Sequence, residues 1–411
     1  MQAVPFWYSA AGALAHVLLP WAPLRGKAAL WRAGQAEAWA KLAAFKRSHA
    51  ERPFWFHAAS LGEFEQAKPV LLALRKRYPG VPVVVTFFSA SGYEARKHFA
   101  EAELICYLPL DTGSQPRHFV EALQPRAVFW VKYDFWLGYL TALRQRGVPT
   151  YLLAALPKPH YFSGLKAGYY RRAYGCFTKI FLQYPETAAL LPPNLQARCI
   201  VTGDPRFDNV LAGVEQAAPV PELEAFRAAS DRPVLLVGSA WAADTDVLHA
   251  ALARLGHPYR LVVFPHEMHA DYLERLKGQG PGQVSFWSTG VRPDADVLVV
   301  DQVGFLARAY RYADVAWVGG AFGKGLHNIL EACAWGKPVV HGPHTAHFPE
   351  AGRVGEAGGG FTVADVDAAA HVLQRLLDPT FRAQAGQAAL AFAERQRGAT
   401  ARILEAVGRQ I

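Results

Sequence analysis

The stretch Gly323-Lys-Gly-Leu-His-Asn-Ile-Leu-Glu331-Ala-Cys-Ala-Trp-Gly-Lys-Pro-Val-Val-His-Gly342-Pro-His344 reads as a glycine-rich turn, a short helix, a buried strand and a second turn. Glycines let the backbone approach a ligand closely, Gly325 among them. A helix that starts beside them points unpaired N–H groups, and the positive end of its dipole, at whatever sits there. Read as helical, Glu331 lies one turn beyond His327 and Asn328, shares their face and can accept hydrogen bonds from a ribose diol. A phosphate at the helix start and a ribose one turn along together describe a nucleotide. The alternative is that His327 and Asn328 only cap the helix.

The motif sits in the last third of a chain of 411 residues, too long for one hydrophobic core and of a size for two domains. With 52% apolar and 19% charged residues the chain is globular rather than disordered. Its 43 Lys+Arg against 34 Asp+Glu give a net charge of +9, which favours acidic partners. There is no block of like charges and no nucleic-acid motif, so the expected partners are a phosphorylated substrate and an anionic membrane surface, not nucleic acid. Cys106, Cys176, Cys199 and Cys333 are far apart and form no CxxC pair, which fits small buried side chains in a reducing cytoplasm.

Upstream and downstream of the motif, short apolar runs alternate with longer amphipathic segments, the pattern of a parallel sheet with crossover helices. Strands are expected at Phe54–His57, Val81–Phe87, Leu104–Tyr107, Ala127–Val131, Thr150–Ala154, Lys179–Leu182 and Cys199–Val201. A second series follows at Val234–Gly238, Tyr259–Phe264, Val284–Trp287, Val297–Val300, Val315–Val318, Pro338–Val340 and Gly360–Thr362. The expected organisation is a membrane-associated helical anchor over 1–50, an N-terminal Rossmann-like acceptor domain over 51–211 and a linker over 212–232. A C-terminal Rossmann-like nucleotide-sugar domain over 233–378, for which the resemblance given below implies a CMP-sugar, and terminal helices over 379–411 complete it. The fold class is α/β of the GT-B kind, with both sheets' crevices lining one cleft.

Residues 4 to 24 are uncharged and rich in aromatic and aliphatic side chains. Pro5, His16, Pro20 and Pro23 weaken a spanning helix, so the segment is expected to lie on the bilayer. No positive residue precedes it, which argues against a secretory signal, and Arg25, Lys27, Arg32 and Lys41 follow it, as on a cytoplasmic side. A helix packed on the protein itself is the other reading. From Trp31 to His49 an amphipathic helix is expected.

His57-Ala-Ala-Ser60-Leu-Gly62-Glu63-Phe-Glu65 follows the first strand and opens a helix. Glu63 at the helix start would have its pKa lowered by the dipole and stay ionised, ready to take a hydroxyl proton. Equally, Ser60 and Glu63 can be a capping box. Ser89, in Phe87-Phe-Ser-Ala-Ser91-Gly-Tyr-Glu94, repeats the design one unit later, with hydroxyls for an acidic acceptor or a plain helix cap. Lys132 and Asp134 follow a buried strand and either face a site or pair with each other. Arg206 ends the last N-domain strand and can grip a phosphate or sugar carboxylate, or pair with a neighbouring Asp. In the second half Ser239 and its turn suit a nucleotide monophosphate, and Pro265-His266 can supply a base-edge or phosphate contact. The histidines around His344 do not match a zinc ligand set, and neither metal nor cofactor is expected.

Taken together, His-Ala-Ala-Ser-Leu-Gly-Glu63, Leu108-Pro-Leu-Asp111, Gly-Asp-Pro-Arg-Phe-Asp208, Gly-Ser239, and His-Asn-Ile-Leu-Glu331 with Gly-Lys-Pro-Val-Val-His-Gly-Pro-His344 resemble the 3-deoxy-D-manno-octulosonic acid (Kdo) transferases. The resemblance runs in the same order from the apolar N-terminus to about residue 365. It implies an inverting, metal-free transfer of Kdo from CMP-Kdo to the lipid A precursor lipid IVA, in lipopolysaccharide biosynthesis at the cytoplasmic face of the inner membrane. It places the catalytic base on Glu63 and the CMP contacts on Ser239, Pro265, His266, Asn328 and Glu331, with Arg206 where the family has a lysine. Three motifs depart from the common pattern: Lys132 and Asp134 replace two glutamates, Leu326 stands where glycine is usual, and Pro265-His266-Glu267 replaces Pro-Arg-His. A GT-B-fold isomerase such as a nucleotide-sugar 2-epimerase, or a non-catalytic membrane-associated binding protein, are the rival readings.

Overall fold

A computed structural model describes residues 26–280, 282–323, 325–408 and 411. The segment read as a membrane anchor, residues 4 to 24, lies outside the described residues; among those described, no helix is long and apolar enough to cross a membrane. The chain forms two compact units: one holds the described chain up to Asp208 together with Gly398 onward, the other holds Asn209–Arg397.

In the first unit the strands are β1 (Phe54–Ala58), β2 (Val83–Phe87), β3 (Leu104–Tyr107), β4 (Ala127–Val131), β5 (Thr150–Ala155), β6 (Lys179–Leu182) and β7 (Cys199–Val201). They form one sheet in the order β3-β2-β1-β4-β5-β6-β7, and every pairing is parallel. All residues of β1, β2, β4 and β5 are buried, as strands covered by helices on both faces must be. Alternate side chains build two cores: Trp55, Trp130 and Leu152 on one face, Phe54, Phe56 and Phe129 on the other. A buried Phe of this kind contributes about 1.5–3 kcal/mol.

The amphipathic helix expected from Trp31 begins earlier and spans Lys27–Ser48, burying Ala38, Leu42 and Phe45 against the first face. The opposite face takes Ile403 and Val407 of the last helix, Ala399–Val407. That helix is tied down by Asp208, which accepts hydrogen bonds from the Gly398 and Thr400 amides at 2.6 and 2.7 Å.

The second unit has β8 (Val234–Ala240), β9 (Arg260–Pro265), β10 (Val284–Phe286), β11 (Val297–Val299), β12 (Val315–Val318), β13 (Val339–His341) and β14 (Gly360–Thr362). Its sheet, also wholly parallel, runs β10-β11-β9-β8-β12-β13-β14. Residues 212–232, read as a linker, form the end of helix Arg206–Glu215 and helix Pro221–Ala228 within this unit. The second helix is fixed by the Val220 amide, which donates to the Tyr312 hydroxyl at 2.7 Å, and by buried Arg260, whose guanidinium lies over the Phe226 ring at 3.7 Å.

Chain order reverses beside β1 in one sheet and beside β8 in the other. At such a switch point the crossovers on either side leave in opposite directions and open a crevice beyond the carboxyl ends of the strands. The β1 and β4 turns meet at the first crevice, the β8 and β12 turns at the second.

Candidate functional site

In the first unit, helix Leu61–Arg77 starts directly after β1. Ser60 is its N-cap: the Glu63 amide donates to Ser60 Oγ at 3.4 Å, and Glu63 Oε2 accepts from the Ser60 amide at 3.1 Å. The capping box is therefore present, with Gly62 exposed in the same turn. Yet the Glu63 carboxyl is not held down by the helix start, as its position in sequence implied. Burial, and then the charge of Asp134, push it up to about 7, against the opposing pull of the Ala59 and Ser60 amides and of Lys132. Glu63 is thus both a cap and a carboxylate that titrates near neutrality, which suits a general base.

Lys132 and Asp134 arrive from the turn after β4. Lys132 holds a left-handed backbone at φ 45, its amide donates to the Leu153 carbonyl, and its ammonium lies 5.4 Å from the Tyr133 ring centre. A non-glycine residue in that region costs about 1–3 kcal/mol and marks positions held by their surroundings. Burial raises the Asp134 carboxyl as well.

Ser89 does what a cap does: its Oγ accepts from the Gly92 amide at 3.1 Å at the start of helix Ala90–Arg96. Arg206 is paired rather than extended toward a ligand. Its Nε and Nη2 reach Asp204 Oδ2 at 2.9 and 2.7 Å. Asp204 is fully buried and also accepts from Gln66 at 2.9 Å and Gln183 at 3.1 Å. Burial raises that carboxyl, but Arg206 and Lys132 outweigh it and leave it below the ordinary aspartate value. Of the Arg206 readings, the pairing with Asp prevails, in the interior rather than on the surface.

In the second unit the opening motif folds differently from its reading in one respect. The helix begins only at Leu330 and ends at Ala334, so His327 and Asn328 stand in the loop before it and do not share a helical face with Glu331. Backbone bonds within the loop shape it: the His327 amide donates to the Gly319 carbonyl at 3.1 Å and the Gly325 amide to the Gly320 carbonyl at 2.9 Å. Asn328 still meets Glu331, its Nδ2 donating to Oε1 at 3.1 Å, while its Oδ1 accepts from the Leu330 amide. Gly320, at φ 93, is required: a Cβ there would lie 2.3 Å from the Gly325 carbonyl oxygen and 2.8 Å from the His327 ring.

The turn after β8 lies alongside. Ser239 takes a left-handed backbone at φ 51, and the pairing of β8 with β9 shifts register there before resuming at Ala240 and Pro265. Buried Asp244 clamps the two turns together by accepting from the Trp241 amide at 3.1 Å and the Gly320 amide at 2.8 Å. Above them Trp241, His266 and His327 form a stack. Trp241 and His266 ring centres are 4.5 Å apart at 24°, His266 and His327 4.4 Å apart at 32°. The Trp241 indole N–H donates to His327 Nε2 at 2.9 Å. Burial and the neighbouring His266 lower His327 to about 4, so the ring is neutral at physiological pH.

Sequence reasoning named Ser239, Pro265, His266, Gly325, His327, Asn328 and Glu331, which lie at the carboxyl ends of β8 and β9, on the loops after β9 and β12, or on the short helix. It did not single out Trp241 or Asp244. An aspartate three residues after the first helical turn opens was the one available signal for the clamp. His344 is exposed, and among the described residues no group of three His, Cys, Asp or Glu could hold a metal ion.

Two wholly parallel sheets, each with polar turns gathered at its switch point, define a two-domain α/β protein with a GT-B-like fold. Solved structures share this fold. The UDP-GlcNAc 2-epimerase of Neisseria meningitidis, bound to UDP-GlcNAc, superposes with a TM-score of 0.61 at 15% identity, covering 87% of this chain and 100% of that one. A glycosyltransferase of Rickettsia africae does so with a TM-score of 0.55 at 12% identity, covering 88% and 98%.

Sequence similarity narrows the class. Residues 35–209 match the family described as Glycos_transf_N, 3-deoxy-D-manno-octulosonic-acid transferase (kdotransferase). The 3-deoxy-D-manno-octulosonic acid transferase of Bordetella pertussis is 31% identical over 388 residues, covering 86% of both chains. That of Haemophilus influenzae is 26% identical over 371 residues, covering 85% of both. The chain belongs to the Kdo transferase family and is a glycosyltransferase.

Proposed function

We propose that this enzyme transfers Kdo from CMP-Kdo to the lipid A precursor lipid IVA, with inversion, on the cytoplasmic face of the inner membrane. The observation that carries the reading is Glu63: a half-buried carboxyl at a helix start on the switch point of the first sheet, raised to about 7. A base with that value is ionised in a large fraction of molecules near neutrality and accepts a proton better than an ordinary glutamate.

In this mechanism Glu63 takes the proton of a glucosamine hydroxyl as its oxygen bonds to the anomeric carbon of Kdo. The bond from that carbon to the CMP phosphate oxygen breaks, and CMP leaves with the electron pair. Ser60, Gly62, Ser89, Lys132 and Asp134 belong to the acceptor side, and Arg206 lies in the same unit but is held by Asp204 rather than offered to the acceptor. Ser239, Pro265, His266, Gly325, His327, Asn328 and Glu331 belong to the donor side, where backbone N–H groups and neutral donors stabilise the charge of the departing CMP. Association with an anionic membrane surface is supported by the net charge of +9 and by the apolar segment 4 to 24.

The test is to incubate the protein with CMP-Kdo and lipid IVA and to follow CMP release together with the mass of the lipid. Release in step with addition of Kdo supports the proposal. Interconversion of UDP-GlcNAc and its 2-epimer, or lipid binding without CMP release, refutes it.

A further inference from the structure

The contact between Trp241 and His327 fixes a proton. An indole nitrogen only donates. With Trp241 Nε1 at 2.9 Å from His327 Nε2, that imidazole nitrogen presents its lone pair, and the neutral ring carries its hydrogen on Nδ1. A histidine in water favours the opposite arrangement, with the proton on Nε2.

The ring has little freedom to escape this choice. Its own amide is bound to the Gly319 carbonyl at 3.1 Å, the His266 ring covers it at 4.4 Å, and Gly320 fits so closely beside it that even a methyl group would lie 2.8 Å away. Rotation of the imidazole by half a turn would place a C–H against the indole N–H and lose the bond. His266, the titratable group that faces the ring, together with burial, disfavours the doubly protonated form.

We propose that Trp241 is a positioning residue that holds His327 in the Nδ1–H tautomer, so that the ring offers a neutral N–H donor to an anionic phosphate of the nucleotide-sugar. The proposal rests on the reading of His327 as a donor-side residue and adds the reason this histidine can serve an anion while uncharged. With the other tautomer, Nδ1 would turn a lone pair toward the phosphate and repel it. Trp241 therefore acts through His327, not on the substrate.

The experiment uses the full chain with 15N-labelled histidine. Long-range 1H–15N spectra distinguish a protonated from a lone-pair ring nitrogen, and His327→Gln identifies the signal. Two variants remove the indole N–H: Trp241→Phe, and incorporation of β-(3-benzothienyl)alanine at 241, which keeps the bicyclic shape and puts sulfur in place of N–H. Expected are an Nδ1–H signal for His327 in the parent, a shift toward Nε2–H in both variants, and a rise of about tenfold in KM for CMP-Kdo with kcat changed far less. An Nε2–H ring in the parent, or an Nδ1–H ring retained in both variants, overturns the proposal, as does a tautomer shift that leaves KM unchanged. Titrating CMP into the parent separates the underlying reading: if CMP leaves the His327 signals unmoved, the donor-side assignment itself fails, whatever the tautomer.

Discussion

Replacing Asp134 with Asn should move the acidic limb of the pH–rate profile to lower pH. Glu63 stands at about 7 instead of the ordinary 4.5, with burial the larger cause and Asp134 the next, while the Ala59 and Ser60 amides and Lys132 pull the other way. The substitution removes one negative charge at nearly constant shape and leaves the burial in place. Because burial ranks first, the charge accounts for the smaller share of the rise, a displacement of about one-half to one pH unit. A base must be ionised to accept a proton, so at a pH well below the limb the variant should be about three- to tenfold more active relative to its own plateau. Lys132→Met removes the compensating positive charge and should shift the limb upward, by less than Asp134→Asn shifts it down because Lys132 is the smallest of these influences. The assay is kcat/KM for Kdo transfer measured between about pH 5 and 9, read as the macroscopic behaviour of a coupled carboxyl pair. Limbs that stay fixed in both variants, or move in the same direction, would refute Glu63 as the titrating base.

Glu63→Gln preserves a capping residue and Glu63→Ala does not, so both should lose about two to four orders of magnitude in turnover, whereas only the alanine variant should lose about 1 kcal/mol of stability to chemical denaturation. Since the folded-state pKa of Glu63 lies above its unfolded value, the folded protein binds the extra proton between about 4.5 and about 7, and stability falls as pH rises through that window. Glu63→Gln should flatten that decline in melting curves; an unchanged slope would argue against the raised carboxyl. Arg206→Met leaves Asp204 charged and buried and should cost about 3–5 kcal/mol, most of it recovered by adding Asp204→Asn; equal losses in single and double variants would show that the pair is not coupled. Gly320→Ala, forced against the Gly325 carbonyl and the His327 ring in a left-handed backbone, should cost about 1–3 kcal/mol and raise KM for the donor; a variant with parental melting and kinetics would contradict that packing.

Whereas the edge strands β7, β10 and β14 are only partly buried, the inner strands were legible because a strand covered on both faces is a continuous apolar run, a property of a few adjacent residues. Their ends were less so: β8 continues to Ala240 and β9 to Pro265 because pairing resumes beyond the register shift at Ser239. The Ser60–Glu63 capping box was equally readable, since both partners lie within one helical turn. The starting point of the helix after Asn328 was not, because the His327 and Gly325 amides bond back to Gly319 and Gly320 at the start of the same loop, a loop closure that no helical or strand period announces.

Sequence by itself determined two doubly wound units, the places where polar turns follow their strands, and the residue types available at each. Only the tertiary structure decided what those residues are chemically. Glu63 owes its proton affinity to burial and to Asp134 on another strand's turn, and His327 owes its tautomer to Trp241, 86 residues away. Arg206 is paired with a buried aspartate that also accepts hydrogen bonds from the distant Gln66 and Gln183. The physical reason is that periodicity and capping act over one turn of chain, whereas desolvation, charge coupling and side-chain hydrogen bonds depend on distance in space, which is set only once the sheets have chosen their strand order and register.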